Sequence, residues 1–356
     1  MRGGDTGTSN DGGLWAGTPG DVRLVLRSGS PPNLSQMQYP QVNDAGRVAF
    51  MGYSFGDASK WGIFAGTSSA DLRQLVDRDA PAPGLPNHNL GSVIGPFAQT
   101  NSGGLAFGTH SARLDNGALD TNAVWRLLPG GQGPALVAST AAPAPGTAGT
   151  FKEVSVSPLM NESGRVLFQG QVQGAGVDEL SDDGVWAGTP GDVRLVAMEG
   201  QSAPGTGGAR FGQALVPGPD GDEWQSAFVS VQQNDAGQVA WLGSLTGPGV
   251  TQSNDTAIFA TDPSGRTLLV AREGDLLDAG GGDLRRIDRL FGYGSSIERP
   301  EGRWFNNAGE LAFTTTFADG SQGVFVAVVP EPGMLLPAIA TLLLTARQRR
   351  GPGTAT

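Results

Sequence analysis

The segment Gly13–Val25 reads GLWAGTPGDVRLV, and Gly184–Val196 repeats it as GVWAGTPGDVRLV, with Leu14 replaced by Val185 as the single difference. In each copy, two stretches rich in apolar residues flank a tight Thr-Pro-Gly-Asp connection. Such a pattern predicts two antiparallel strands joined by a turn. Identity at twelve of thirteen positions indicates internal duplication, so the fold must be built from repeats.

A second element recurs between these hairpins. It reads NDAGRVAF from Asn43, NESGRVLF from Asn161, NDAGQVAW from Asn234 and NNAGELAF from Asn306, with a weaker copy, TNSGGLAF, from Thr100. The tetrapeptide N-x-x-G predicts a turn, because the Asn side chain can bond backbone two residues on and glycine accepts positive φ. The turn glycines, spaced 57 to 73 residues apart, are Gly46, Gly103, Gly164, Gly237 and Gly309.

These elements predict a unit of four short antiparallel strands, A to D. Strand A precedes the N-x-x-G turn, strand B follows it, strand C carries an aliphatic–aromatic pair, and strand D ends the unit. Tandem units of this kind favour an all-β propeller of five or six blades over residues 1–328, with an open solenoid or a sandwich as the alternatives. The aromatic positions Trp15, Trp125, Trp186 and Trp241 are predicted core residues, because each occupies a fixed place in the repeat.

The repeats resemble those of the NxxGxxAF tandem-repeat proteins, a group of bacterial surface proteins, over nearly the whole stretch from Gly13 to Val328. The resemblance implies an exported and anchored protein without assigned molecular function. It brings no catalytic residues, so none is predicted.

The C-terminal segment, residues 329–350, has three parts in order: a Pro-Glu-Pro tripeptide, an apolar run from Met334 to Leu344, and an Arg cluster. The residues that define it are Pro330, Glu331, Pro332, Arg347, Arg349 and Arg350. This arrangement resembles the PEP-CTERM sorting signal of Gram-negative bacteria, which implies recognition and cleavage by a membrane-embedded exosortase-type protease. The run from Gly333 to Ala346 is predicted to form a hydrophobic helix of about 21 Å, too short for a stable membrane span. A buried C-terminal core helix is the alternative, and residues 351–356 are predicted to be a disordered tail.

The N-terminus shows no apolar signal segment after Arg2, and the repeats begin at strand C. We therefore expect that the reading frame lacks its original N-terminal part, including a signal peptide.

Composition excludes several function classes. The net charge of −11 argues against nucleic-acid binding, and the absence of Cys excludes disulfides, thiolate catalysis and Cys-built metal sites. Only His88 and His110 supply imidazole, which argues against multi-His metal centres and most His-dependent acid–base schemes. No cofactor is predicted, with calcium as the alternative. The predicted function is that of a non-enzymatic protein of the cell surface or extracellular matrix.

The loops between strands B and C and between strands D and A vary most in length, which favours the face that they share as the candidate ligand face. Each loop between strands B and C also carries an acid. The acids are Asp57, Asp120, Asp183, Asp255 and Asp319, with Asp11 at the equivalent N-terminal place. One interpretation is an acidic ring that binds calcium, a cationic ligand or a sugar of an extracellular polysaccharide. The other is turn chemistry, which selects Asp without any ligand. A propeller hydrolase or lyase is a further alternative, since Asp178-Glu179 and Asp182-Asp183 could include a carboxylate pair. The other interpretation of this acidic run is a solvated loop.

Overall fold

The computed structural model describes residues 12–54, 57–131, 133–218, 221–291, 304–329 and 345–346. For residues 57–60, 214–218, 221–225 and 345–346 it describes the backbone alone. Every regular element in these ranges is a β-strand, and none is a helix. No helix of the kind that spans a membrane occurs among the described residues.

The strands form six successive sheets and one separate hairpin. Sheet 1 contains β1 (Gly13–Thr18) and β2 (Asp21–Arg27). Sheet 2 contains β3 (Gln36–Val42), β4 (Val48–Ser54), β5 (Asp57–Gly66) and β6 (Arg73–Asp77). Sheet 3 contains β7 (His88–Gln99), β8 (Leu105–Arg113), β9 (Leu119–Leu127) and β10 (Ala135–Ser139). Sheet 4 contains β11 (Thr150–Val154), β12 (Leu159–Met160), β13 (Val166–Gln173), β14 (Asp183–Thr189) and β15 (Asp192–Met198).

The remaining strands follow the same order. Sheet 5 contains β16 (Arg210–Phe211), β19 (Phe228–Gln233), β20 (Val239–Thr246), β21 (Thr256–Thr261) and β22 (Thr267–Arg272). Sheet 6 contains β23 (Leu276–Asp278), β24 (Leu284–Phe291), β25 (Glu310–Phe317), β26 (Gln322–Val328) and β27 (Thr345–Ala346). The separate hairpin pairs β17 (Ala214–Gly218) with β18 (Gly221–Gln225).

Sheets 2 and 3 are simple four-stranded antiparallel meanders, with each strand paired to its neighbour in the chain. In sheets 4 and 5 the strand A position is divided between two short strands, β11 with β12 and β16 with β19. The predicted four-stranded antiparallel repeat is therefore confirmed. The division of strand A and the hairpin inserted into it in sheet 5 were not predicted.

The C-terminal helix prediction needs correction at its end. Thr345 and Ala346, the last two residues of the expected helix, form β27 and pair antiparallel with Val326 and Phe325 of β26. An open strand edge offers unpaired backbone groups to another extended segment, which accounts for this pairing. The rest of the expected helix, and the disordered tail 351–356, lie outside the described residues.

An aromatic pair joins strands B and C of the repeats. Phe50 faces Phe64, Trp241 faces Phe259 and Phe313 faces Phe325 across the two strands, with ring centroids 5.7 to 5.8 Å apart. All six side chains are buried. Cross-strand aromatic pairs contribute both burial and specific ring contact, so this pair forms the centre of these three repeats.

The N-x-x-G turns have one geometry throughout. The side chains of Asn43, Asn161, Asn234 and Asn306 accept a hydrogen bond from the backbone N–H four residues on, at 2.9 to 3.0 Å. Thr100 does the same through its hydroxyl at 2.8 Å. The turn glycines have φ between 72° and 88°, the left-handed region. The sequence therefore predicts the turn. The predicted bond to the backbone two residues on is present at Asn306, which also accepts Ala308 N–H at 3.0 Å, whereas the bond four residues on was not predicted.

The chain divides into two compact units, and the division runs through sheet 4. The first contains residues 1–145, 150–170 and 187–194, and the second contains residues 146–149, 171–186 and 195–356. In the first unit, one buried apolar cluster joins sheets 1 and 2 and another joins sheets 2 and 3. In the second, a single cluster joins sheets 5 and 6. The repeats thus stack on their neighbours in sequence, while closure into a ring stays a prediction.

Side-chain hydrogen bonds between neighbouring repeats reinforce this stacking. In the first unit, the Asn43 Nδ2 atom donates to the Asn101 carbonyl at 3.0 Å. Asn101 in turn bonds both the backbone N–H and the carboxylate of Asp44. In the second unit, Asn234 donates to the Asn306 carbonyl at 3.2 Å, and Asn307 bonds Asp235 in the same reciprocal way. The repeated Asn therefore serves two purposes: it shapes its own turn and holds the next repeat.

Trp15 departs from the predicted core. Its side chain is 56% exposed, whereas Trp125, Trp186 and Trp241 are 0% exposed. Strand β14, which carries Trp186, has β13 on one side and β15 on the other, whereas β1 pairs with β2 alone among the described residues. Without a strand B beside it, Trp15 lacks the neighbour that covers the equivalent side chains.

Candidate acidic site

The five acids of the candidate ligand face occupy equivalent ends of different sheets. Asp57 and Asp183 open β5 and β14, Asp120 lies in β9, Asp255 directly precedes β21 and Asp319 lies in the turn between β25 and β26. Asp57 is described by its backbone alone, and Asp11 lies outside the described residues. Asp57 and Asp120 belong to the first unit and the other three to the second, so their arrangement as one ring stays a prediction.

Asp120 and Asp319 have protein partners on the surface. The Asp120 carboxylate lies 2.9 Å from His88 Nε2 and 3.8 Å from Arg113, and the hydrogen bond from His88 lowers its pKa. Asp319 accepts a hydrogen bond from the Ser321 side chain, which lowers its pKa, and lies 3.3 Å from Arg285. At these two positions the geometry matches turn and surface chemistry.

Asp183 has a different environment, because it belongs to a group of three carboxylates. One carboxylate oxygen each from Asp182, Asp183 and Glu199 lies within 4.8 Å of the others. Asp182 and Asp183 stand at the start of β14, and Glu199 follows the last residue of β15. Since the two strands are antiparallel neighbours, the start of one meets the end of the other, and Glu199 N–H donates to the Asp183 carbonyl at 2.8 Å.

Glu199 is the most deeply buried member of this group, with 2% of its surface exposed. Its Oε1 atom accepts a hydrogen bond of 3.0 Å from the backbone N–H of Gln213, whereas its Oε2 atom is buried without a hydrogen-bond partner. Burial raises the pKa of Glu199 to about 7, and the nearby charges of Asp183 and Asp182 act in the same direction. Asp183 also accepts a hydrogen bond of 3.1 Å from the Gln171 side chain.

The next repeat contains an equivalent pair, Asp255 and Glu273. The segment D-D-G-V-W at residues 182–186 corresponds to D-T-A-I-F at residues 255–259, and LVAMEG at residues 195–200 corresponds to LVAREG at residues 269–274. Thr256 therefore stands where the preceding repeat has Asp183. Its hydroxyl lies 3.3 Å from Asp255 Oδ1 and also hydrogen-bonds Glu273, whose Oε1 accepts 2.9 Å from Leu290 N–H. Burial raises the pKa of Glu273 to about 7. Burial also raises the pKa of Asp255 above its ordinary value.

The comparison with known proteins identifies the family but no activity. A model described as a family of unknown function, DUF7453, matches residues 1–336. The chain belongs to the DUF7453 family. No curated protein matches it. Among solved structures, it is similar to an acylaminoacyl peptidase in complex with Z-Gly-Gly-Phe-chloromethyl ketone, with 11% identity, a TM-score of 0.29, and coverage of 82% of this chain and 44% of the peptidase chain.

The acidic run that includes Asp178 and Asp182 separates into two parts in this DUF7453 protein. Asp178 is exposed and accepts hydrogen bonds from the Ser181 hydroxyl and from Leu180 N–H, which lower its pKa. Asp182 is buried and belongs to the group with Glu199. Asp178 thus shapes its own loop, as the solvated-loop interpretation predicts.

A cleft of about 200 Å³ lies beside Glu273 in the DUF7453 chain, and Arg272 and Arg286 line it. Both guanidinium groups hold neighbouring loops: Arg272 donates to the Thr206 and Asn254 carbonyls at 2.8 Å, and Arg286 donates to the Gly274 carbonyl. Both guanidinium groups at this cleft therefore have a structural role, because they bind backbone carbonyls.

Sequence reasoning missed Glu199, Glu273 and the role of Asp182. The signal that could have found them is the repeated L-V-A-x-E-G at the end of strand D. A glutamate at the same place in two copies, next to a turn glycine, predicts a shared environment that an isolated acid does not.

Proposed function

We propose that this DUF7453 member is an exported, non-enzymatic β-repeat protein of the cell surface or extracellular matrix, sorted by its C-terminal segment. The observation that carries the proposal is the ordered sequence of the Pro330-Glu331-Pro332 tripeptide, the apolar run and the terminal Arg cluster. An exosortase-type protease is the proposed processing partner, and the membrane holds the segment before cleavage. An extracellular polysaccharide is the proposed ligand class at the surface.

The position of the tripeptide supports this proposal. The last strand of the repeats, β26, ends at Val328, two residues before Pro330. Cleavage next to the tripeptide would release the repeats with all strands from β1 to β26. A sorting signal has to be separable from the folded domain that it delivers. The boundary at Val328 allows this once β27, which pairs with the edge of β26, has left that edge.

The use of the polar repeat residues supports the non-enzymatic part. Asn43 and Asn234 occupy the same place in their repeats. In both residues the side-chain oxygen and nitrogen form hydrogen bonds within the fold. Their recurrence is explained by turn formation and repeat stacking, so it does not require a catalytic role.

The proposal is tested by identifying the C-terminal residue of the protein. The protein is produced with an export signal in a Gram-negative host that has an exosortase-type protease. Envelope and medium fractions are digested, and the last peptide is sequenced by mass spectrometry. We expect a chain that ends near Pro332. The controls are a host without the protease and a chain in which Pro330, Glu331 and Pro332 are all changed to Ala, both of which should retain Thr356. A wild-type chain that keeps Thr356 and stays in the cytoplasm would overturn the proposal.

A further inference from the structure

The three carboxylates at the start of β14 raise a problem of charge. Asp182 and Glu199 are buried, and one oxygen from each lies within 4.8 Å of an oxygen of Asp183. Like charges at this distance repel, and burial removes the water that would screen them. Buried acidic groups of this kind are paired with cations, coordinate metals or remain protonated.

The following repeat solves the same problem with a neutral donor. There the Thr256 hydroxyl lies within hydrogen-bond reach of both Asp255 and Glu273 and can donate its proton to either one, so only two carboxylates meet and a neutral donor lies beside them. In the Asp182 repeat the hydroxyl is replaced by Asp183, which when ionised can only accept hydrogen bonds. One donor is lost and one negative charge is gained at the same place.

Glu199 has one carboxylate oxygen without a hydrogen-bond partner. Glu199 is 2% exposed, and its Oε2 atom is buried without a hydrogen-bond partner. An unsatisfied buried oxygen destabilises the fold, and more so when the group is charged. The other oxygen of Glu199 is fixed by Gln213 N–H, so the carboxylate is held in place.

The kind and number of donors favour calcium. All three side chains offer oxygen, which hard cations such as Ca²⁺ and Mg²⁺ prefer. Mg²⁺ demands near-ideal octahedral geometry and is usually bound through one or two carboxylates, whereas Ca²⁺ accepts irregular sets of oxygen ligands. A group of three carboxylates from two strands, with oxygens within 4.8 Å of one another, therefore suits Ca²⁺ better.

We propose that Asp182, Asp183 and Glu199 bind one calcium ion, which links the start of β14 to the end of β15. The calcium site consists of residues of this chain alone, and it does not depend on the proposed sorting. The ion replaces the donor that Thr256 provides in the next repeat, and it neutralises the additional charge of Asp183.

Isothermal titration of the full chain with CaCl₂ at pH 7.5, after removal of metals with EDTA, tests the proposal. We expect one calcium per chain and a higher melting temperature in calcium than in EDTA. The Asp183→Thr variant introduces the hydroxyl of the neighbouring repeat, so it should bind calcium at least tenfold more weakly while melting in EDTA no earlier than the wild type. Glu179→Gln, which removes one exposed charge from the same loop, is the matched control and should bind as the wild type does.

Several results would overturn the proposal. The first is that calcium up to about 10 mM, which exceeds the dissociation constants of weak extracellular sites, gives no binding heat and no rise in melting temperature. The second is that Asp183→Thr binds calcium as tightly as the wild type does. The third is that the wild type binds magnesium as tightly as calcium. Stabilisation by low pH without any calcium effect would show that a proton occupies the site instead. If Asp183→Thr does not fold, Asp183→Asn replaces it with the same expected loss of binding.

Discussion

Asn234 uses the two ends of one amide for two different tasks. Its Oδ1 atom accepts the Gln238 N–H at 3.0 Å and closes the turn, while its Nδ2 atom donates to the Asn306 carbonyl at 3.2 Å. Aspartate offers the acceptor without the donor, and other common turn residues lack the reach. Both tasks together account for asparagine at this place in the repeat.

We predict that Asn234→Asp lowers the free energy of unfolding by about 2–3 kcal/mol, because it removes a buried donor and introduces a buried charge. Asn306→Asp is the matched variant, since Asn306 shapes the same turn but is exposed and donates to Glu310 of its own repeat. Its cost should be about 1 kcal/mol or less. Urea denaturation measures both, and equal costs would show that the contact between repeats contributes nothing.

Glu273 should make stability depend on pH. Its pKa is about 7 in the folded protein, above the ordinary value of 4.5 in the unfolded chain, so the folded state binds the proton more tightly. The stabilisation is complete below about pH 4.5 and is lost as the pH rises through about 7.

Glu273→Gln should therefore flatten this part of the profile. Relative to the variant, the wild type should lose about 2–4 kcal/mol between pH 4.5 and pH 7.5. Denaturant titrations in EDTA across this range provide the measurement, since EDTA keeps cation binding out of the comparison. Parallel profiles for the two proteins would contradict the raised pKa.

At the scale of single residues, the sequence indicates local geometry better than distant contact. Asn43 and Gly46 are three residues apart, and their pattern predicts the turn directly. The bond from Asn43 to Asn101 spans 58 residues, and no local pattern reports it. Glu199 was missed for the same reason, because its acidic neighbours belong to another strand.

At the scale of elements, the two copies of the hairpin distinguish the effect of the local sequence from the effect of the surrounding strands. Gly13–Val25 and Gly184–Val196 are nearly identical and form the same pair of strands, β1 with β2 and β14 with β15. The hairpin itself was predictable, since turn chemistry and apolar residues define it locally. Whether its tryptophan is buried depends on the strand beside it, which lies elsewhere in the chain.

We predict that Trp186→Ala costs about 3–5 kcal/mol of stability and that Trp15→Ala costs less than about 1 kcal/mol. The side chain and its local sequence are the same, so the difference measures the neighbouring strand alone. Thermal and urea denaturation of both variants supply the values. A large loss for Trp15→Ala would show that its face is covered in solution.

At the scale of the whole molecule, stacking determines which repeats are best protected. Sheet 2 packs against both sheet 1 and sheet 3, whereas sheet 1 has only sheet 2 beside it in the described part of the first unit. In repeat arrays, stability is approximately a sum of intrinsic terms and neighbour interfaces. The repeated unit and its approximate length were therefore predictable, whereas the two-unit division depends on contacts that no repeat pattern contains.

Hydrogen exchange should reveal this gradient. We expect amide protons of β1 and β2 to exchange faster than those of β4 and β8, because an edge strand with one neighbouring sheet opens at lower free energy. Peptide-level mass spectrometry after timed labelling can resolve these segments. Uniform protection from sheet 1 to sheet 3 would contradict the stacking described for this unit.

The shared hairpin also has a genetic consequence. Its two copies begin 171 residues apart, so unequal crossover within the common stretch deletes 171 residues in frame and leaves one hairpin with an unbroken sequence. The recombinant would keep Glu199 after the hairpin, but Gly12 would replace Asp183 before it. Copy number and the acidic site can thus change in one event without damage to the strand pair at the joint.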